Sequence, residues 1–411
     1  MNYKTPNLVS LMGNKAHSHQ KKMMSHVYSK SSILSNSQLI ESSTILIHDK
    51  LAPVLIDAAR KRWDFDAYAL NQAIGADFTS VFLLGMKNCT NFIGDLPAAD
   101  EFRKMYKLKM KMLPGHENAT KQLETLVLDL CRRASGANQD DLEGVVHAQL
   151  LAKLDNTGSS SGNSKGRDNL VIASEIFDHL IAGVETTRIT LTYLEWELSR
   201  SASLQAQLRA ELRTLSPPIS LKASRSPSSA LPTPKAIDSL PLLDAILKEI
   251  LRLYPPSPAL LPRVTPPGGA IINGFTIPAG TVIGSSSVCM HRNTSVFPEP
   301  DKFKPERWLL DNEKVREMNR WFWAFGSGGR MCIGSHFAIY CGYSGYLKTS
   351  GVTRVTAGNG ADEILVLKLV VVAIYTDFET SIVDDDGIEQ EDAFIAGPTG
   401  EKLVLRFSAA A

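Results

Sequence analysis

The 411-residue sequence predicts a mainly helical protein with a small β-sheet, and three observations carry that expectation. From Asn169 to about Arg213 apolar residues recur at helical spacing with no proline, enough for one long helix and a second. Between Ala270 and Gly284 three short apolar runs are divided by Asn273-Gly274 and Ala279-Gly280, dipeptides of tight turns between strands. Elsewhere, amphipathic segments alternate with Pro- and Gly-rich breaks, and no internal repeat is visible.

Taken in order, Lys15 to about Lys30 reads as a basic, partly amphipathic helix with His17, His19, Lys21 and Lys22 near its start; its plain reading is a solvated face. Ile45, Leu46, Leu51, Val54 and Leu55 predict a further helix, with Pro53 in its first turn or kinking it. Asn71 to Met86, Phe102 to Met112 and Thr120 to Arg133 are helical by spacing, and Pro114-Gly115 ends the second of these. Asp155 to Arg167, rich in Gly and Ser, predicts a flexible loop, and Ser216 to Pro234 an exposed Ser- and Pro-rich connector. Leu240 to Leu253 predicts a helix closed by Pro255-Pro256. Short strands are expected at Ala270–Ile272, Phe275–Ile277 and Thr281–Gly284, and two terminal ones at Phe378–Val383 and Leu403–Phe407.

The net charge of +1 gives no reason to expect nucleic acid as a partner. Five irregularly spaced cysteines argue for a reducing compartment without a disulfide framework. The most apolar run, Ile364 to Tyr375, is too short to cross a bilayer and carries Lys368 in its middle. The opening residues show neither a signal peptide nor a membrane span.

The stretch richest in chemistry is Trp323-Ala-Phe-Gly-Ser-Gly-Gly-Arg-Met-Cys-Ile-Gly334. Gly326, Gly328 and Gly329 allow a tight turn and close approach to a flat partner. Arg330 beside Cys332, loop amides and a following helix start at Ser335 all favour a thiolate over a thiol. A lone cysteine is more often simply buried. A zinc site on Cys332 and His336 lacks a second pair of ligands at suitable spacing. A soft anionic sulfur in a non-polar cradle suits a haem iron.

Four further patterns precede the loop. Ala182-Gly-Val-Glu-Thr-Thr187 sets Gly183, which weakens a helix, beside hydroxyls that compete for backbone carbonyls; Glu185 and Thr186 there could pass protons to dioxygen. Glu249-Ile-Leu-Arg252 places an i, i+3 ion pair among apolar neighbours. In Phe303-Lys-Pro-Glu-Arg-Trp308 the Arg307 fork suits a bidentate carboxylate such as Glu249. Leu261-Pro-Arg263 offers a cation to an anionic group, and His291-Arg292 lies in the interval.

With Phe325-Gly-Ser-Gly-Gly-Arg-Met-Cys332-Ile-Gly334 behind these patterns in this order, the chain resembles the cytochrome P-450 monooxygenases from about Lys15 onward, in a filamentous-fungal style. The resemblance implies a single catalytic domain over 1–411, a mostly α prism with small β-sheets around haem b (iron protoporphyrin IX). It implies Cys332 as the proximal iron ligand, with Phe325 and Arg330 in its loop. Glu185 and Thr186 match the acid–alcohol pair, and Glu249, Arg252 and Arg307 match a buried structural triad. Arg263 and Arg330 match propionate contacts, as does Lys21 less securely, with His17 beside it.

The expected reaction inserts one oxygen atom from O2 into a hydrophobic small molecule, in fungal secondary metabolism, with electrons from an NADPH-cytochrome reductase. Two departures qualify it. The anchor, hinge, first helix and first strands usual in the family are not found, so the family's endoplasmic-reticulum attachment is in doubt and a cytoplasmic location stays open. Residues 341–363 interrupt what should be one apolar helix, as an unspliced intron or frame error would. The alternative expectation is a remnant that folds poorly or does not turn over.

Overall fold

A computed structural model describes residues 2–136, 144–155, 162–221, 231–338 and 366–410. The atypical stretch 341–363, residues 156–161 of the Gly/Ser-rich loop and the centre of the Ser/Pro-rich connector lie outside the described residues. The chain forms two compact units, Met1–Leu240 with Ile333–Asp386 and Lys402–Ala411, and Pro241–Cys332 with Gly387–Glu401.

In the first unit the helices are α1 (Asn14–Met24), α2 (Lys30–Leu34), α3 (Ser37–Ile45), α4 (Ala52–Lys61), α5 (Ala67–Leu84), α6 (Leu96–Met110), α7 (His116–Ser135), α8 (Val145–Asp155), α9 (Gly162–Ser199), α10 (Ala202–Leu212) and α11 (Pro234–Asp238). The expected basic helix stops at Met24, because the Ser29 hydroxyl accepts the Ser32 amide at 3.3 Å and starts α2 afresh. Between α3 and α4 the backbone stays helical but widens into a π-turn over Leu46–Leu51, directly ahead of Pro53 in the first turn of α4. The predicted loop to Arg167 yields to helix at Gly162, and α8 was not anticipated.

Almost every residue of α5 is buried, polar ones included, and α5 packs along α9. Polar side chains inside this pair are mostly partnered: Asn71 Nδ2 donates to Glu195 Oε2 at 2.7 Å and to Thr192 at 3.2 Å. Beyond α15 (Ser335–Ala338) lies α16 (Val366–Tyr375), entirely buried. Its single cation, Lys368, reaches Asp238 at 2.9 Å, which is how a lysine sits in so apolar a helix. One antiparallel sheet, in the order β1 (Asp64–Asp66), β7 (Val404–Ala409), β6 (Phe378–Asp384), closes the unit, with Asp64 opposite Arg406.

In the second unit, α12 (Pro241–Leu253) is followed by β2 (Leu261–Val264), β3 (Ala270–Ile272), β4 (Phe275–Ile277), β5 (Val282–Ser285), α13 (Ser287–His291), a 3-10 turn over Pro305–Leu309, and α14 (Asn312–Trp321). The strands nest as one long hairpin, β3 on β4 inside β2 on β5, with Asn273-Gly274 at its tip. β2, unlike β3 and β4, was not anticipated; Pro262 sits in it because β2 is paired on one side only. Ala245, Phe297, Trp308 and Met318 form the core, flanked by Val315, Trp321 and Phe322. No helix among the described residues is long and apolar enough to cross a membrane.

Candidate functional site

The residues singled out in the sequence fall into both units. Glu185 and Thr186 lie on α9 and His17 and Lys21 on α1, in the first; Cys332, Phe325, Arg330, Arg263, Glu249, Arg252 and Arg307 belong to the second.

The centre of the second unit is Glu249. Its carboxylate is fully buried and accepts from Arg252 Nε (2.9 Å) and Nη2 (2.8 Å), Arg307 Nε (3.0 Å), Trp308 Nε1 (2.9 Å) and the Lys304 amide (2.9 Å). Five donors on two oxygens supply the extra partners that a buried charge requires. The two-pronged contact belongs to Arg252. Arg307, expected to grip Glu249 as a fork, gives it Nε alone, because both oxygens are already shared with Arg252, Trp308 and Lys304. Its Nη groups go instead to the carbonyls of Pro298 (2.8 Å) and Glu299 (3.3 Å). Arg252 Nη1 likewise donates to the carbonyls of His291 (2.9 Å) and Pro300 (2.7 Å). The carboxylate thereby gathers α12, the segment after α13 and the 3-10 turn into one body.

From that body the chain runs into the cysteine loop. Gly326 and Gly328 take left-handed φ values of +68° and +72°, open only to glycine without strain, and a 3-10 turn spans Gly328–Arg330. The Cys332 amide donates to the Phe325 carbonyl at 2.9 Å, closing the loop, and Cys332 is exposed. A Cβ added at Gly328 or Gly329 would meet nothing within 4 Å. Open space thus lies over Gly328 and Gly329 in the same exposed turn as Cys332, with Arg330 half-buried. Arg263, on β2, is exposed and donates to the Pro262 carbonyl at 2.9 Å.

On α9, Thr186 donates to the Ala182 carbonyl at 2.8 Å, the competition for backbone that the motif implied. The helix runs through the motif without a break. Gly183 has a different task there, since a Cβ on it would fall 2.3 Å from Thr79 Oγ1 of α5. Glu185 is buried and accepts from Arg188, whose Nη1 donates to Gln72 at 2.9 Å and whose guanidinium lies 4.4 Å over the Tyr68 ring. Arg188 was not foreseen, although it stands at the same i, i+3 spacing that exposed Arg252 beside Glu249. On α1, His17 is buried and Lys21 half-buried, one turn apart.

The family model that matches is that of cytochrome P-450, over residues 77–340. The cytochrome P-450 monooxygenase avaI of Aspergillus versicolor is 28% identical over 82% of this chain and 82% of its own length. The monooxygenase ankB of Aspergillus thermomutatus is 38% identical over 41% of this chain, which spans only 30% of that protein. Cyclooctat-9-en-7-ol 5-monooxygenase of Streptomyces melanosporofaciens is 33% identical over 54% of this chain and 44% of its own. With more than half of its residues under one family model, and fungal members among its relatives, this chain belongs to the cytochrome P-450 monooxygenase family.

Proposed function

We propose that this protein is a haem-thiolate monooxygenase in which Cys332 ligates the iron of haem b and one atom of O2 is inserted into a hydrophobic small molecule. The observation that carries the reading is the exposed Cys332 at the end of a loop closed by its own amide on the Phe325 carbonyl and rooted in the buried Glu249 network. The residues present fit the group, because the glycine flank leaves room where a Cβ would otherwise project. The haem, when bound, supplies the redox chemistry that activates dioxygen.

The protein's own part is positional and protonic. The Cys332 amide bond fixes the sulfur's backbone, and Arg330 and Arg263 are the cations assigned to the propionates, with Lys21 and His17 as weaker candidates. Thr186 holds a hydroxyl proton that can be redirected from the Ala182 carbonyl, and Glu185, held in place by Arg188, is the carboxyl group assigned to relay protons to it. Electrons are assigned to an NADPH-cytochrome reductase. Small apolar molecules of fungal secondary metabolism are the substrate class we assign; one of the similar proteins is named for acting on cyclooctat-9-en-7-ol.

The test is the ferrous, carbon-monoxide-bound spectrum of protein reconstituted with haem. A strongly red-shifted Soret band is expected for a thiolate-ligated iron; an unshifted band, or no haem uptake, overturns the reading. The alternative, a chain without turnover, draws on the hairpin of the second unit, where Ile271 and Phe275 are 76% and 72% exposed with no covering layer among the described residues. Stoichiometric haem uptake with a red-shifted band and no oxygen consumption with any apolar substrate would favour it.

A further inference from the structure

His291, which ends α13, is fully buried, and both of its ring nitrogens are engaged. Nδ1 lies 3.0 Å from the carbonyl oxygen of Arg252, and Nε2 lies 2.8 Å from the backbone nitrogen of Trp323. A carbonyl can only accept and an amide N–H can only donate. The two contacts together therefore fix one tautomer, with the proton on Nδ1 and the lone pair on Nε2. Burial depresses the ring's pKa to about 3, so this neutral form persists at any ordinary pH. The ring also stacks on Phe322, centroids 5.4 Å apart and planes 14° from parallel. His291's own carbonyl accepts from Arg252 Nη1 at 2.9 Å, so ring and backbone of one residue both grip the last turn of α12.

Trp323 is the first residue of the cysteine loop. Its carbonyl accepts the Gly326 amide at 2.9 Å, and two residues on Phe325 accepts the amide of Cys332. A continuous series of bonds thus runs from Glu249 through Arg252 to the His291 ring, on to the Trp323 amide, and around the loop to Cys332. Glycine-rich backbone has more freedom to lose than any other, so where such a loop sits depends on how firmly its ends are held.

We propose that His291 is a positioning residue for Cys332: its imidazole couples the buried Glu249–Arg252 pair to the entrance of the cysteine loop and so fixes where the sulfur is presented. The proposal rests on the haem-thiolate reading of Cys332. His291 does not touch the sulfur and acts only through Trp323.

His291→Phe tests it, because the ring and its stacking on Phe322 remain while both hydrogen bonds are lost. Two quantities are read beside wild type: hydrogen exchange at the Trp323 and Cys332 amides of the haem-free protein, and the share of haem-loaded protein with the red-shifted ferrous–carbon monoxide band. Exchange at the Cys332 amide should rise about tenfold or more, the scale of one buried hydrogen bond. The red-shifted share should fall in favour of the unshifted band, and His291→Gln, which keeps an amide donor and acceptor, should restore part of it. A Cys332 amide as protected as in wild type overturns the proposal. A wild-type protein without the red-shifted band overturns the haem-thiolate reading instead, and the exchange comparison still stands. If His291→Phe does not fold, exchange at the Cys332 amide and the red-shifted share are read on Trp323→Pro, which deletes the amide donor at 323 and leaves the imidazole bonded to Arg252.

Discussion

Gly183 of α9 approaches Thr79 of α5 so closely that a Cβ on it would lie 2.3 Å from Thr79 Oγ1, 2.6 Å from Cγ2 and 3.0 Å from Cβ. Turning the threonine about χ1 only exchanges one short contact for the other, so a side chain at 183 has to push the helices apart. Gly183→Ala should cost about 1–3 kcal/mol, the scale of overpacking a core, despite the better helix propensity of alanine. Urea unfolding measures it. Thr79→Ala in the same chain should recover part of the loss, so the two changes should not add.

Glu249 faces two buried guanidinium groups, those of Arg252 and Arg307, and no other ion pair to either is found among the described residues. Glu249→Gln keeps the shape but leaves both cations without a counter-charge, and should destabilise by about 3–5 kcal/mol. Trp308→Phe removes one neutral donor to the same carboxylate and should cost only about 1–2 kcal/mol. Equal losses in the two variants, compared by denaturant titration, would contradict this account of the network.

Burial of Glu195 between α5 and α9 pushes its pKa up from 4.5 to about 8, against the Asn71 hydrogen bond that lowers it. The folded state therefore holds this proton more tightly than the unfolded chain. The contribution is fully present below about pH 4.5 and is lost as pH rises through about 8. Glu195→Gln should remove that decline and, above pH 8, stabilise the protein by on the order of a few kcal/mol. Parallel unfolding curves for variant and wild type across this range would show that Glu195 is not the group concerned.

Thr186→Ala should leave the fold intact, since the lost hydroxyl bonds only back to the Ala182 carbonyl, an arrangement that adds little to a helix. Product formed per O2 consumed should drop several-fold, with the difference appearing as hydrogen peroxide. Unchanged coupling would remove Thr186 from the proton path.

The parts legible in the sequence are those whose signal is local. Asn273-Gly274 marks the hairpin tip, the apolar neighbours of Glu249 and Arg252 mark a buried helix, and the glycines before Cys332 mark a turn whose φ values only glycine adopts freely. What escaped depends on distant partners. β1 is three residues long and becomes a strand because β7 pairs with it, Asp64 against Arg406. Arg307 is near Glu249 as foreseen, but its one-pronged contact follows from Trp308 and Lys304 occupying the same carboxylate. His291 carries no local mark at all: its two bonds go to Arg252, before it, and to Trp323, after it. Arg188, by contrast, does carry a local mark, its i, i+3 spacing from Glu185.

The pairing of β1 with β7 also bears on how the protein comes into being. The first unit's sheet joins residues 64–66 to residues 404–406, and in sequence the segment Pro241–Cys332 of the second unit comes between them. A chain emerging from the ribosome can assemble α12, its hairpin and the Glu249 network early, from pieces close in sequence. The sheet must wait until residues 404–409 have been made, with α5 and α9 already present and β7 still missing. Assembly order and sequence order thus diverge: the Glu249 network can form early, while each unit is completed only by residues that follow 376.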